Sequence, residues 1–112
     1  MSAAVPVGGL RHRVQLQRTE MIADDAGGHD RVHVPAATLW ARVTSLGARQ
    51  VFVADGRAVA ISHTVVIRHR TGVRPGDRFI YEGRRLNVVS AEDISGRRRF
   101  LACRCRETAV GG

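Results

Sequence analysis

Ser62-His63-Thr64-Val65-Val66-Ile67-Arg68-His69-Arg70, then Thr71-Gly72-Val73-Arg74-Pro75-Gly76-Asp77, then Arg78-Phe79-Ile80-Tyr81, Glu82-Gly83 and Arg84-Arg85-Leu86-Asn87-Val88-Val89: this stretch decides the fold. Its first run is dense in β-branched residues and carries no Gly or Pro, so it reads as a strand. The Pro75-Gly76 pair ends it. Pro75 presets φ for a turn, and Gly76 tolerates the positive φ that follows. Phe79 and Tyr81 alternate with Arg78 and Ile80 in a second short strand. Glu82-Gly83 is a tight-turn signal, after which Leu86 and Val88 share one face of a third strand. Three strands joined by short turns predict an antiparallel meander.

Around this scaffold the chain has 112 residues, enough for one compact domain. Aromatic residues make up only 4% of it, so the core must rest on Val, Leu, Ile and Ala, and partner subunits would help to stabilise it. The formal net charge is +8 and there is no lysine. Such a surface attracts polyanions, although an Arg-, Ala-, Gly- and Val-rich composition is also what a GC-rich genome writes. Cys103 and Cys105 are the two cysteines. At i and i+2 of one strand they share a face and are poorly placed to bridge each other, so they read as reduced packing residues. No apolar run is long enough to span a membrane and no signal-peptide core is evident, which predicts a soluble protein with no membrane partner.

In chain order, Met1 to Gly9 reads as a flexible arm. Leu10 to Arg18 alternates: Leu10, His12, Val14 and Leu16 face one side, and Arg11, Arg13, Gln15 and Gln17 the other. Arg11 and Arg13 are candidates for phosphate contact, against the plainer reading of a solvated face. His12 reads as a satisfied histidine rather than a ligand. Asp24-Asp25-Ala26-Gly27-Gly28 is a turn cluster with no third ligand to complete a metal site. Thr38 to Val43 is a second main strand whose Trp40, the only tryptophan, anchors either the core or an interface. Leu46 to Ala60 fits neither helical nor strand period well: Ala, Arg and Gln allow a helical turn near Arg49, while Val51 and Val53 favour extension; it reads as one long connection, and a connection of that length tends to be functional or to reach a partner. Ile94 to Arg99 is a basic hairpin turn. In the last strand, from Phe100, Leu101, Cys103 and Cys105 face one way, and Ala102, Arg104 and Arg106 the other. Thr108 to Gly112 is a tail. About six strands and no convincing helix argue for a small barrel or sandwich.

Catalytic patterns are missing from the sequence. Ser62 and His63 are neighbours on a strand, so alternation sends them to opposite faces and makes them a poor nucleophile–base pair. There is no Gly-rich phosphate loop before a helix, no H-E-x-x-H and no C-x-x-C. The five histidines are scattered. The reading is a protein that is not an enzyme and holds no metal and no cofactor.

The ordered pieces resemble one family, the small head–tail joining proteins of tailed phages, also called head-closure or stopper proteins. Gly9 to Gln17 is similar to that family's opening strand, Asp25 to Gly28 to its first loop, and Thr38 to Val43 to its tryptophan strand. Gly47-Ala48-Arg49-Gln50 resembles the start of its long loop. His63 to Arg68, Gly72 to Arg78 and Tyr81 to Leu86 follow its central block. Gln50 departs from the acidic residue often found after the loop's arginine, which removes any ion pair carried there. Gene-transfer agents carry similar proteins.

The resemblance implies a mainly β fold: a small antiparallel β-barrel of about six strands with one long projecting loop, all in a single domain over residues 1–112. It implies a head-tail connector subunit in a virion or virus-like particle, cytoplasmic before assembly. Copies would form a sixfold or twelvefold homo-oligomeric ring between a portal-side adaptor and a tail terminator or tail-tube protein. Packaged DNA would be retained and then passed through the channel. Candidate interface residues are Arg49, Gln50, Val51, Phe52, Val53 and Arg57. Candidate contacts for DNA or a neighbouring subunit are Arg11, Arg13, Arg97, Arg98, Arg99 and Arg104. The rival reading is a free nucleic-acid-binding β-barrel, against which Phe79 and Tyr81 are too few to make a stacking platform.

Overall fold

Residues 9–54, 56–69, 72–94 and 99–108 are described by a computed structural model. Six strands follow one another: β1 His12–Ala23, β2 His29–Ala54, β3 Arg57–Arg68, β4 Arg78–Tyr81, β5 Arg84–Asp93 and β6 Phe100–Thr108. All pair antiparallel in one sheet that closes into a barrel in the order β1-β2-β3-β6-β5-β4. The expected barrel is therefore present, but the expected meander is not. β3 pairs with β2 and β6, and β4 with β5 and β1, so β3 and β4 are not neighbours. Local turn signals in the sequence identify where the chain reverses. They do not say which strand later fills the gap, and here β6 enters between β3 and β5.

Alternation builds the interior. Val14 and Leu16 from β1, Ala41 from β2, Val65 and Ile67 from β3, Phe79 from β4, Leu86 and Val88 from β5, and Leu101, Cys103 and Cys105 from β6 form one buried cluster, with Leu39 partly buried against it. Val73, from the segment between β3 and β4, joins the same cluster. Phe79 is fully buried and is the one large aromatic ring among the described buried core residues of this cluster. A smaller cluster lies apart from the main core: Leu10, Val66, Phe100 and Ala102, with Ile94 packed against it. Leu10 and Ala102 thus depart from the simple parity reading, Leu10 because β1 begins only at His12 and Ala102 because this second cluster covers it.

β2 is the longest element, with 26 residues. Drawn straight it would run about 85 Å, but the molecule's longest dimension is 52 Å, so the strand bends. Its first part pairs with β1 and its second with β3, with little overlap. Two hairpin arms result, β1–β2 and β2–β3. In the second, Ser45 pairs with His63 and Gln50 with Ile61, leaving Leu46 to Arg49 opposite the single residue Ser62. Gly47 sits in this bulge at φ +59°, where a residue without Cβ is unstrained. Beyond it the ladder resumes from Gln50↔Ile61 to Ala54↔Arg57. The predicted long loop Leu46–Ala60 is therefore a β-hairpin: it projects, but as paired ribbon. The bulge is what hid it, because inserted residues break the period-2 pattern that marks a strand.

Turn chemistry follows the sequence closely. Arg74-Pro75-Gly76-Asp77 closes with Asp77 N–H donating to the Arg74 carbonyl at 3.1 Å, and Gly76 has φ +98°. Glu82 and Gly83 both have positive φ, +50° and +77°, the primed turn of a two-residue hairpin. At the β1–β2 tip, the Asp24 carboxylate accepts from the N–H groups of Ala26 and Gly28 at 2.9 and 2.8 Å. That is a loop held by its own side chain. Of the expected arm, residues 1–8 lie outside the described residues, and so do 109–112 of the expected tail.

Candidate functional site

Asp77 organises the segment that packs beside β1. The residue is buried at 5% exposure. It accepts from Thr19 N–H at 3.1 Å and Arg74 N–H at 3.0 Å, and the Arg18 guanidinium lies 3.4 Å away. Arg18 also donates to the Gly72 carbonyl at 2.6 Å. Thr19 Oγ1 donates to the Gly76 carbonyl, and His33 Nε2 lies 3.0 Å from the same oxygen. These contacts fix the 72–77 segment against the base of the β1–β2 arm. An open cleft remains there, lined by Arg18, Thr19, Gly72, Val73, Arg74 and Asp77. The Arg18, Thr19 and Asp77 side chains in it are already engaged with one another or with the backbone of the segment, which suits a structural joint.

His63 is buried at 4% exposure, and its Nδ1 lies 2.8 Å from Ser62 Oγ. The two side chains thus meet, although alternation was expected to separate them. The reason is local. The β3–β6 ladder ends at His63↔Cys105, and the Glu107 N–H beyond it is satisfied by Ser62 Oγ at 2.8 Å. Held in that position, the hydroxyl also reaches His63. The imidazole's other nitrogen is 4.0 Å from Glu107 Oε1. The group ties two strand ends together. Ser62 Oγ is taken up between a backbone donor and the imidazole.

His12 is satisfied as expected: its Nδ1 accepts from Val43 N–H at 3.1 Å and its ring meets Tyr81 edge-on at 5.3 Å. Cys103 and Cys105 are free, buried thiols. Burial, and after it the nearby Asp77 carboxylate, push the Cys103 thiol up to about 12. Burial, then Cys103, raise Cys105 well above the ordinary thiol value. Among the described residues no cluster of three or more His, Cys, Asp or Glu side chains is grouped to hold a metal ion. No described helix is long and apolar enough to cross a membrane.

What the surface does present is two arms and several basic faces. On the β2–β3 arm, Val51 and Val53 are 71% and 67% exposed. They pair with Ala60 and Ala58, so one face of the ribbon is an apolar stripe. Arg57 at its tip is exposed. Arg49, Gln50 and Phe52 take their places in this strand by backbone register. Arg13 is exposed and stacks over Trp40, its guanidinium carbon 4.6 Å from the ring centroid. Trp40 is 53% exposed and so belongs to the surface, not the core. Arg11 and Arg42 are also exposed on this part of the surface. Arg104 is half-buried and paired with Glu92. Arg99 is exposed beside the β5–β6 turn, whereas Arg97 and Arg98 lie outside the described residues. Sequence reasoning did not single out Arg42, Met21 or Ile22. The signal for Trp40 was available: Leu39, Ala41 and Val43 share the inward parity, which turns Trp40 outward.

A family model described as phage head completion protein matches residues 5–108, nearly the whole chain. The chain belongs to the phage head completion protein family. The family has a structural role in completing the particle. Among solved structures, a chain from the virion of a native gene transfer agent particle aligns with a TM-score of 0.69 at 25% identity, covering 91% of this chain and 97% of that one. Protein SF1141 from Shigella flexneri 2a shares the fold, with a TM-score of 0.69 at 23% identity over 95% of this chain and 99% of that one. No curated protein matches the sequence. The resemblance read from the sequence, including the gene-transfer-agent relation, is therefore found again by independent comparison of both sequence and fold.

Proposed function

We propose that this head completion protein is a connector subunit. Copies form a ring between the portal-side adaptor and the tail, and packaged DNA is retained behind that ring until it passes through the channel. The observation that carries the reading is the β2–β3 arm. A two-stranded ribbon has no core of its own, yet this one shows two valines at 71% and 67% exposure. Apolar side chains held that far out are stabilised when a neighbour covers them. Arg49, Gln50, Val51, Phe52, Val53 and Arg57 are the proposed contact set on this arm. In this reading the subunit is a virion component, assembled from a cytoplasmic pool, that works by docking and needs no cofactor and no catalysis.

Particles assembled with the double variant Val51→Asp, Val53→Asp, with Phe52→Ala and with Arg98→Ala test the reading. A water-excluding contact at an interface hot spot is worth about 2 kcal/mol or more, and an exposed ion pair about 0–1 kcal/mol. The first two variants should therefore leave untailed heads and released DNA, while Arg98→Ala joins nearly normally. Normal joining with the arm variants, and failure with Arg98→Ala, would show that electrostatics governs the joint.

A further inference from the structure

The β1–β2 ribbon carries two unlike surfaces. At its tip, residues 20–31 hold four of the chain's ten carboxylates against one arginine, Arg31, in a protein of net charge +8. Asp25 is exposed at the turn, and exposed Glu20, Ile22 (50%) and Asp30 share one face of the ribbon, Ile22 directly opposite Asp30, while Met21 lies on the other face opposite exposed Arg31. Within the barrel the same ribbon shows Trp40, 53% exposed, with Arg13 stacked on it and exposed Arg42 nearby. One surface is acidic around a single apolar side chain, Ile22; the other is basic around a large ring.

We infer that these two surfaces are complementary halves of one subunit–subunit contact: the β1–β2 tip of one copy docks on the Trp40–Arg13–Arg42 surface of a second copy. Tryptophan and arginine are the residues that most often dominate an interface, and Ile22, on the face it shares with Glu20 and Asp30, supplies the apolar surface to cover the ring. Opposite charges around that apolar centre fix the register. Because the two halves are different patches, the contact is head-to-tail, and repetition with rotation closes a ring rather than a dimer. DNA is the poorer occupant. One ring, already overlaid by an arginine, makes no succession of stacking platforms, and a strand laid along this ribbon meets Glu20, Asp25 and Asp30. The inference rests on the self-assembly proposed above but uses a different arm.

The test uses the full chain with a benzophenone amino acid at position 40. Irradiation of the assembled protein should give covalent oligomers in which position 40 is joined to a peptide within 20–31 of another copy. Arg42→Glu should weaken self-association in sedimentation by about tenfold or more, and adding Asp30→Arg should recover most of the loss, as paired charge reversal does for a true contact. Both sites are exposed, so circular dichroism should show an unchanged fold. Crosslinks to another segment, to an adaptor or tail protein, or to DNA overturn the inference; if the β2–β3 arm variants still abolish joining, the connector reading stands without it. A chain that stays monomeric in every condition, within assembled particles included, overturns both.

Discussion

The carboxylate of a residue at 5% exposure needs partners, and Asp77 has the Thr19 and Arg74 backbone donors and the Arg18 guanidinium. Asp77→Ala leaves two backbone N–H groups without their acceptor, and such orphaned donors cost about 1–3 kcal/mol each. The variant should lose several degrees in thermal unfolding. Arg18→Ala, whose guanidinium is partly exposed, should lose much less; equal losses would mean that the ion pair, not the backbone anchoring, holds the segment. Cys103 and Cys105 carry a second expectation. Their thiols are raised in the folded state by burial, Cys103 to about 12 from an ordinary 9.0. The unfolded chain therefore ionises first, and folding stability should fall as pH rises from about 9 toward 12. Replacing both cysteines with alanine should flatten that decline, and the native thiols should react with alkylating reagents only as the protein unfolds. Prompt labelling at neutral pH would contradict both points. These two thiols were legible as same-face packing residues. Asp77 was not, because nothing in Pro75-Gly76-Asp77 announces the partners that Arg18 and Thr19 bring from β1.

At the scale of elements, the parts that local chemistry controls could be read and the parts that register controls could not. Glu82-Gly83 forms the hairpin turn that its composition asks for, with both residues at positive φ. Glutamate pays a steric cost there that asparagine largely avoids. Glu82→Asn should raise the melting temperature slightly, and Gly83→Ala should lower it through a loss of about 1 kcal/mol of stability. Opposite signs would mean that the β4–β5 ladder, rather than the turn, sets the geometry. The β2–β3 arm shows the other case. Val51 and Val53 favour extension, yet the four residues from Leu46 to Arg49 opposite Ser62 erase the alternation. A sequence window has no means of showing that two strands continue pairing on both sides of such a bulge. Trp40 falls between the two cases: its parity was readable, but its stack with Arg13 depends on the Arg13↔Trp40 register.

For the whole molecule, strand order decides where the barrel is weakest. In the closed order β4 lies between β5 and β1, and the β1–β4 seam consists only of Gln15↔Ile80, Leu16↔Phe79 and Gln17↔Arg78. The β3–β6 ladder, by contrast, runs unbroken from His63↔Cys105 to Arg68↔Phe100. β4 is also the shortest strand, at four residues. Opening free energy follows the local density of paired backbone and buried apolar surface, so the barrel should open first by releasing β4 from β1. Amides of β4 and of Gln15 to Gln17 should exchange with solvent at lower free energy than those of β3 and β6. Phe79 lies at this seam and is the largest fully buried side chain among the described residues. Truncating it to alanine removes about 3–5 kcal/mol, a large share of the roughly 5–15 kcal/mol that holds a small domain folded. Phe79→Ala should therefore lower exchange protection first along β1 and β4, and only then globally. If the β3–β6 amides exchange before those of the seam, closure is not the weak point, and the thin interior, not the strand order, limits the stability of the subunit.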